Sequence, residues 1–295
     1  MEAYLLKDVR KASIVIPAYN EEKNIERVIQ EMKETLQNAG EFEIIVVDDG
    51  SRDSTAAIAE KNGVHVVRHP LNIGYGAALK SGIRVAKYDH VVFFDADDSF
   101  YPKDIIRLLE CAEEFDMVIG ARIDKEGEPL SRAFLRWLFT KFSSFLVGRK
   151  FNDVNSGFRL VKRDMVVRLL SILPEKFSIT TTMSILLHKE GRSIIEVPVS
   201  VKRQSKGNKL KVIRDGLSFP YMALRLSMYY DPFKVFSTPA VYLLALGFLK
   251  SIYDLLVMNS LADSSILIIL SGIQLLVLAL LGDVIVKTRI LKNEA

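Results

Sequence analysis

The amino-acid sequence predicts an α/β catalytic domain built on a mostly parallel sheet, followed by a two-helix transmembrane hairpin with amphipathic interface helices. Three observations predict it. Between residues 12 and 119, short apolar runs alternate with amphipathic stretches, the pattern of a parallel sheet covered by helices on both faces. Several of the apolar runs deliver the chain to acidic turns. Two long apolar runs then close the sequence. The predicted division is a catalytic domain over 1–212, with halves 12–122 and 123–212, a juxtamembrane amphipathic helix over 213–234, and a hairpin over 235–295.

Taken in order, ASIVIP (12–17) reads as a buried strand, closed by Pro17. The stretch 21–40 has apolar residues at 25, 28, 29, 32 and 36, a helical spacing, with Asn20 as expected N-cap and Gly40 at the end. FEIIVVDD (42–49) is a second strand, STAAIAEKNG a short helix ending at Gly63, and VHVVRH (64–69) a third strand. GAALKSGIRVAK (76–87) is a helix, HVVFFD a fourth strand, PKDIIRLLECAEE a helix and DMVIGA (116–121) a fifth strand. In such sheets ligands bind at the carboxyl ends of the strands. That rule gathers PAYNE, DDGS and DADDS on one rim.

Residues 131–148 place Phe134, Leu135, Leu138, Phe139, Phe142, Phe145 and Leu146 on one helical face, with Arg132, Arg136, Thr140, Ser143 and Ser144 opposite. This is the pattern of a helix lying in a membrane interface; a helix facing the domain core has the same periodicity. GLSFPYMALRLSMYYDPF (216–233) is a second stretch of this kind.

At the C-terminus the spans fall near 235–258 and 264–286, joined by NSLAD. The second is long enough to cross a bilayer core. The first carries Lys250 and Asp254, four apart on one face and placed to pair. The joining loop has no Lys or Arg, whereas Lys234, Lys287, Arg289 and Lys292 flank the other side. The positive-inside rule then sets both ends, and the catalytic domain, in the cytoplasm. A buried helical pair of a soluble protein is the alternative.

Charged residues are 26% and apolar residues 49% of the chain, which excludes a disordered tail. Net charge is only +4, but Lys202, Arg203, Lys206, Lys209 and Lys211 follow one another with no acid between. Such a segment suits phosphate-rich ligands or an anionic membrane surface, and no motif supports nucleic acid. The single cysteine, Cys111, allows no intramolecular disulfide. The first residues carry no apolar run of the signal-peptide kind.

The chemistry lies in the acidic turns. In HVVFFDADDSFYP (90–102), a strand runs into Asp95, Asp97 and Asp98. Like charges this close raise one another's pKa unless a cation intervenes, and Mg²⁺ or Mn²⁺ bridging carboxylates and a diphosphate is the natural partner. A phosphoacceptor aspartate or a solvated acidic turn are the alternatives, and Asp-x-Asp alone has low specificity. VVDDGSRDST (46–55) repeats the device: Asp48 and Asp49, a turn at Gly50, then Ser51 and Asp53, the last a helix N-cap or a ligand for base or ribose. Tyr19 is placed to stack on a base or to pack. His65, His69, His90 and His188 show no metal-ligand spacing.

VIPAYNEE, VVDDGSRDST, NIGYGAALKSG and FFDADDSFYP, in this order and spacing, resemble the nucleotide-sugar half of family 2 glycosyltransferases of the GT-A fold. The resemblance covers roughly residues 12–212. NDVNSGFRLVKRD (152–164) and EVPVSVKRQSKGNKL (196–210) resemble the subgroup that glycosylates polyprenyl and dolichyl phosphates. The resemblance implies that Asp95 and Asp97, with Ala96 between them, form the metal and diphosphate motif. Ser99 completes the metal set where many relatives carry Gln, with Asp98 the alternative donor. It implies a nucleotide pocket from Pro17, Tyr19, Glu21, Asp48 and Asp49. Arg203 and Lys209 belong to a basic loop over the diphosphate, Asn208 standing at its usual Ser. Arg122 and Arg132, with Arg136, match positions that bind the lipid phosphate. Asp153, Ser156, Gly157 and Arg159 match an element near the acceptor.

The expected activity is inverting transfer of one hexose, mannose or glucose, from a nucleotide diphosphate sugar to a polyprenyl or dolichyl phosphate at the cytoplasmic membrane face. A lipid phosphate is already anionic near neutral pH and needs arginines more than a general base. A hydroxyl acceptor would need a base, with Asp153 the candidate. The expected partners are the sugar donor, the lipid phosphate and the bilayer, with homo-oligomerisation open. A polysaccharide or glycolipid synthase is the enzymatic alternative; a non-catalytic membrane scaffold is the alternative of another class.

Overall fold

The computed structural model describes residues 11–122, 137, 140, 141, 144, 148–175, 179–202, 228 and 231–294. Arg132, Arg136, Arg203, Lys209 and most of the two expected interface helices lie outside these residues. The chain divides into a unit ending at Leu217 and a unit beginning at Ser218.

In the first unit, β1 (Lys11–Ala18) leads to α1 (Ile25–Leu36), β2 (Glu41–Asp48), α2 (Thr55–Lys61) and β3 (His65–Arg68). Then come α3 (Tyr75–Val85), β4 (His90–Phe93), α4 (Asp104–Glu110) and β5 (Met117–Arg122). The apolar positions expected on the first helix, Ile25, Val28, Ile29, Met32 and Leu36, are the ones α1 buries. Its cap differs from expectation. Asn24 precedes the helix, while Asn20 adopts φ 57° and accepts from the Arg52 amide at 2.9 Å, tying two rim loops together.

Four elements beyond β5 were not anticipated: β6 (Arg159–Lys162), α5 (Arg163–Leu169), α6 (Ile179–Lys189) and β7 (Ile194–Val199). They complete a seven-stranded sheet of order β3-β2-β1-β4-β6-β5-β7. Only β6 runs antiparallel, inserted between β4 and β5. The carboxyl ends of β1, β2, β3, β4, β5 and β7 therefore share one rim, as do the residues entering β6. Beneath it, Phe158 packs edge-on to Phe94, centroids 5.4 Å apart, and lies 5.1 Å from Phe100. These three rings form a stiff floor under the Asp95–Asp98 turn.

In the second unit, α7 (Pro232–Val257) opens on an Asp231 cap that accepts from the Lys234 amide at 2.9 Å, with Pro at the first helical position. After a short turn, α8 (Asp263–Glu294) follows. Both are long and apolar enough to cross a membrane, with 18-residue stretches of mean hydropathy 1.7 within Pro232–Val257 and 2.5 within Asp263–Val286. Ala240, Gly247 and Asp254 are buried at seven-residue spacing on α7, and Ser265, Gly272 and Ala279 at the same spacing on α8. Small residues let helix backbones approach closely in lipid. A Cβ on Gly272 would lie 2.7 Å from Leu244, and one on Gly247 would lie 2.6 Å from Ile269. The expected Lys250–Asp254 pair forms at 3.0 Å, and Ser265 also donates to Asp254. The buried carboxylate is thereby satisfied, as an apolar solvent requires.

Candidate active site

The shared rim collects three groups of side chains. The first lines a cleft of about 350 Å³ at the ends of β1, β2 and β3, bordered by Tyr19, Asp48, Gly50, Ser51, Arg52 and the loop 68–72. Asp48 is buried and accepts from the Ser51 amide at 3.3 Å. Pro17 pairs with Val47 inside the sheet, which leaves Tyr19 exposed at the mouth. Glu21 accepts from the Asn24 side chain at 2.8 Å. Gly50, at φ 72°, allows the close approach of the far wall: a Cβ there would meet the Leu71 carbonyl carbon at 2.4 Å.

Asp49, expected in the nucleotide pocket, is engaged by protein groups. Only 3% exposed, it accepts from the amides of Ile73 (3.0 Å) and Gly74 (2.9 Å) and meets His69 Nδ1 at 2.7 Å. His69 Nε2 in turn lies 2.9 Å from Ser81 Oγ. Asp49 and His69 thus hold the cleft wall against α3. The His69 contribution was missed, because its partners lie twelve and twenty residues away in sequence. Asp53 accepts from the Thr55 amide at 3.0 Å, the capping role weighed for it.

The second group is the turn after β4. Asp95 Oδ1 accepts from the Tyr75 hydroxyl at 3.0 Å. Burial and the neighbouring Asp95 push the Tyr75 pKa well up, so the phenol stays a donor to this carboxylate. Gly157 lies against the same pair: a Cβ there would stand 2.7 Å from both Asp95 Oδ2 and Tyr75 Oη. Asp97 is exposed and accepts from the Ser99 amide at 3.1 Å and from the Ser99 hydroxyl. Ser99 therefore orients Asp97, while Ala96 is buried in the core. Asp98, weighed as an alternative metal donor, instead pairs with Arg27 and Lys202, each at 2.6 Å.

Asp95 and Asp97 offer hard oxygen donors, each held by a protein hydroxyl. Among the described residues, no group of three or more His, Cys, Asp or Glu stands together to enclose an ion by itself. Mg²⁺ is commonly held by one or two carboxylates and completed by substrate phosphates, and this donor set fits that mode.

The third group is at the end of β5. Arg122 makes a fork to Asp153, Nε to Oδ2 at 2.6 Å and Nη2 to Oδ1 at 2.9 Å. Asp153, expected as a possible base, is buried and anchored through its own amide to Glu196 at 2.8 Å. Ser156 and Arg159, matched by the resemblance to the element near the acceptor, are both 0% exposed. The Arg159 guanidinium donates to the carbonyls of Thr180 (2.8 Å), Val154 (3.1 Å) and Ser156, and to Ser184 Oγ. Burial pushes its pKa down to about 10, still charged at neutral pH. It is a structural cation beneath Asp95 and Asp153, while Ser156 donates toward the Phe158 carbonyl.

A family model described as Glycosyl transferase family 2 matches residues 13–170, and one described as GtrB C-terminal hairpin matches residues 231–288. A dolichol-phosphate mannosyltransferase of Pyrococcus furiosus is 33% identical, over 68% of this chain and 59% of its own. An undecaprenyl-phosphate 4-deoxy-4-formamido-L-arabinose transferase of Pseudomonas paraeruginosa is 28% identical, over 92% of this chain and 84% of its own. Among solved structures, glucosyl-3-phosphoglycerate synthase of Mycobacterium tuberculosis, with Mn²⁺, UDP-glucose and phosphoglyceric acid, superposes with a TM-score of 0.60. It is 24% identical, covering 74% of this chain and 80% of that one, and shares the fold.

Proposed function

The chain belongs to glycosyl transferase family 2, and on that premise we propose that it transfers one hexose from a nucleotide diphosphate sugar to a polyprenyl or dolichyl phosphate. The transfer would occur at the cytoplasmic face of the membrane that its hairpin enters. An oxygen of the lipid phosphate attacks the anomeric carbon. The bond from that carbon to the donor diphosphate breaks on the opposite side, inverting the centre, and the electron pair leaves on the diphosphate.

The observation that carries this reading is the Arg122–Asp153 fork. A hydroxyl acceptor needs a carboxylate that takes up a proton. Asp153 instead has both carboxylate oxygens engaged by the Arg122 guanidinium. A phosphate acceptor needs an aimed arginine, and Asp153 holds Arg122 in one orientation at the strand end. Relatives named for undecaprenyl and dolichol phosphate transfer, and the hairpin, support the same acceptor. Asp95 and Asp97 would hold Mg²⁺ or Mn²⁺, which supplies charge neutralisation to the leaving diphosphate. Tyr75 and Ser99 keep those two carboxylates aimed. Asp48 and Tyr19 line the cleft that would take the nucleoside. Arg132, Arg136, Arg203 and Lys209 are proposed as additional phosphate ligands.

The test uses the purified full chain with Mn²⁺ and a polyprenyl phosphate, and radiolabelled GDP-mannose, UDP-glucose and UDP-N-acetylglucosamine in parallel. Label entering the lipid phase from one donor is the expected result and identifies the sugar. No lipid product from any donor, with folded protein, would move the assignment to a hydroxyl acceptor or a scaffold.

A further inference from the structure

His69 spends both ring nitrogens inside the protein. Nδ1 lies 2.7 Å from Asp49 Oδ1, and Nε2 lies 2.9 Å from Ser81 Oγ. The side chains of His69 and Asp49 are 9% and 5% exposed. An ionised carboxylate only accepts, so Nδ1 is the donor. Asp49 also accepts from the amides of Ile73 (3.0 Å) and Gly74 (2.9 Å), and its own amide donates to the Ala18 carbonyl at 2.9 Å. The His69 amide donates to the Asp48 carbonyl at 2.8 Å. Imidazole and carboxylate together tie the ends of β1 and β2, the loop 69–74 and α3. Gly74 enters α3 at φ 132°, a conformation that favours glycine, and the Asp49 oxygen fixes that corner. The order Ser–His–Asp is that of a hydrolase triad. Ser81 lies inside α3, however, where backbone amides are spent on the helix and hold no oxyanion. The work of this array is to position.

What it positions lies on either side of it. On one side, loop 68–72 is a wall of the cleft. On the other, Gly74 is followed by Tyr75, whose hydroxyl donates to Asp95 Oδ1 at 3.0 Å. We propose that His69 is a positioning residue that sets the register between the nucleoside cleft and the Asp95 carboxylate, so that one nucleoside diphosphate fills both. The inference rests on the transferase reading above. Nucleoside and diphosphate are covalently joined, so once one end is bound the other binds intramolecularly and gains from a fixed span. Without the imidazole, Asp49 keeps the two loop amides but loses its brace to α3, and the cleft wall and Tyr75 no longer hold one spacing. The ligand must then order them as it binds, at a cost in affinity. A nucleoside monophosphate, one phosphate shorter, asks less of that span.

The experiment compares His69→Ala, His69→Asn and Ser81→Ala with wild type, as the full chain in detergent. Binding of UDP, GDP, UMP and GMP with Mn²⁺ is measured by calorimetry, and substrate KM values in the transfer assay. Hydrogen exchange over residues 70–76 is followed without ligand. His69→Ala is expected to lower the preference for diphosphate over monophosphate about tenfold, the scale of one lost hydrogen bond to a charged group. The donor KM should rise with it, the lipid-phosphate KM should hold, and exchange over 70–76 should accelerate. His69→Asn, whose amide stands in for Nδ1, should recover part of the preference, and Ser81→Ala should lose less of it. Equal losses of mono- and diphosphate binding, an unchanged preference in His69→Ala, or unchanged exchange would overturn the proposal. Accelerated exchange in the variants of a protein whose wild type binds neither UDP nor GDP would keep the brace and overturn the transferase reading instead.

Discussion

Replacing Gly157 by alanine should lower activity sharply and leave the fold nearly intact. Its φ is outside the left-handed region, so the backbone accepts alanine. The new methyl would stand 2.7 Å from Asp95 Oδ2, 2.7 Å from Tyr75 Oη and 2.9 Å from Asp95 Oδ1. An ordinary carbon–oxygen contact is about 3.3–3.6 Å, so the carboxylate or the phenol must retreat by roughly 0.6–0.9 Å. Both are side-chain ends, and rotating one off its preferred well costs about 0.5–1.5 kcal/mol. That predicts a Tm only a few degrees lower. Displacing a catalytic group by about 1 Å costs about 10²-fold in rate, so kcat should fall about 10–100-fold, with lipid-phosphate KM little changed. Labelled-sugar transfer across a Mn²⁺ series measures it, with thermal unfolding alongside. Adding Tyr75→Phe removes one of the crowding atoms and should restore part of the rate. Wild-type kcat and Mn²⁺ response in Gly157→Ala would refute the reasoning.

Arg122→Ala should raise the lipid-phosphate KM more than the donor KM; equal effects on both would remove its role at the acceptor. Arg159→Met removes the guanidinium that donates to the buried carbonyls of Thr180, Val154 and Ser156, a loss of about 3–5 kcal/mol for breaking a buried charged network. Thermal unfolding would show it, and a stable variant would contradict the structural role. Burial opposes ionisation of Asp116, but Lys162 and Ser193 outweigh it and hold its folded pKa below the ordinary value. Its contribution is therefore present above the unfolded pKa of about 3.9 and is lost as pH falls through the lower folded one. The Tm gap between wild type and Asp116→Asn should be flat from about pH 5 to 8 and close below about pH 4; a gap that survives in acid argues against it.

Strands β1 to β5 were legible because each is an apolar run bounded by a turn, and α1 because its buried positions recur at helical spacing. The Lys250–Asp254 pair was legible because its partners sit on one helix. β6 was not: four residues, RLVK, carry no periodic signal, and their place between β4 and β5 depends on partners some 40 to 70 residues away. The same limit explains the site. Acids at strand ends mark a rim, but their tasks depend on distant neighbours. Asp48 faces the cleft and Asp49 the loop 69–74, though they are adjacent. Asp97 is exposed and Asp98 clamped by Lys202, 104 residues on. Arg159, matched to an element near the acceptor, lies in the core, where α6 brings the Thr180 carbonyl and Ser184 Oγ to it and the loop before β6 brings the Val154 and Ser156 carbonyls.

The seam between α7 and α8 bears on what the anchor can do. The small buried residues Ala240 and Gly247 on α7 and Gly272 and Ala279 on α8 line this antiparallel seam, where Gly247 lies against Ile269, Gly272 against Leu244, and Asp254 accepts from Ser265. Two intervals of seven residues span about 21 Å, most of the roughly 30 Å hydrocarbon depth. Two helices zipped along that length enclose no lumen through which a hexose could pass. A single copy is thus a mooring, not a portal. A sugar attached to its lipid stays on the leaflet where it was made until a separate carrier, or several hairpins arranged around a common path, moves it across.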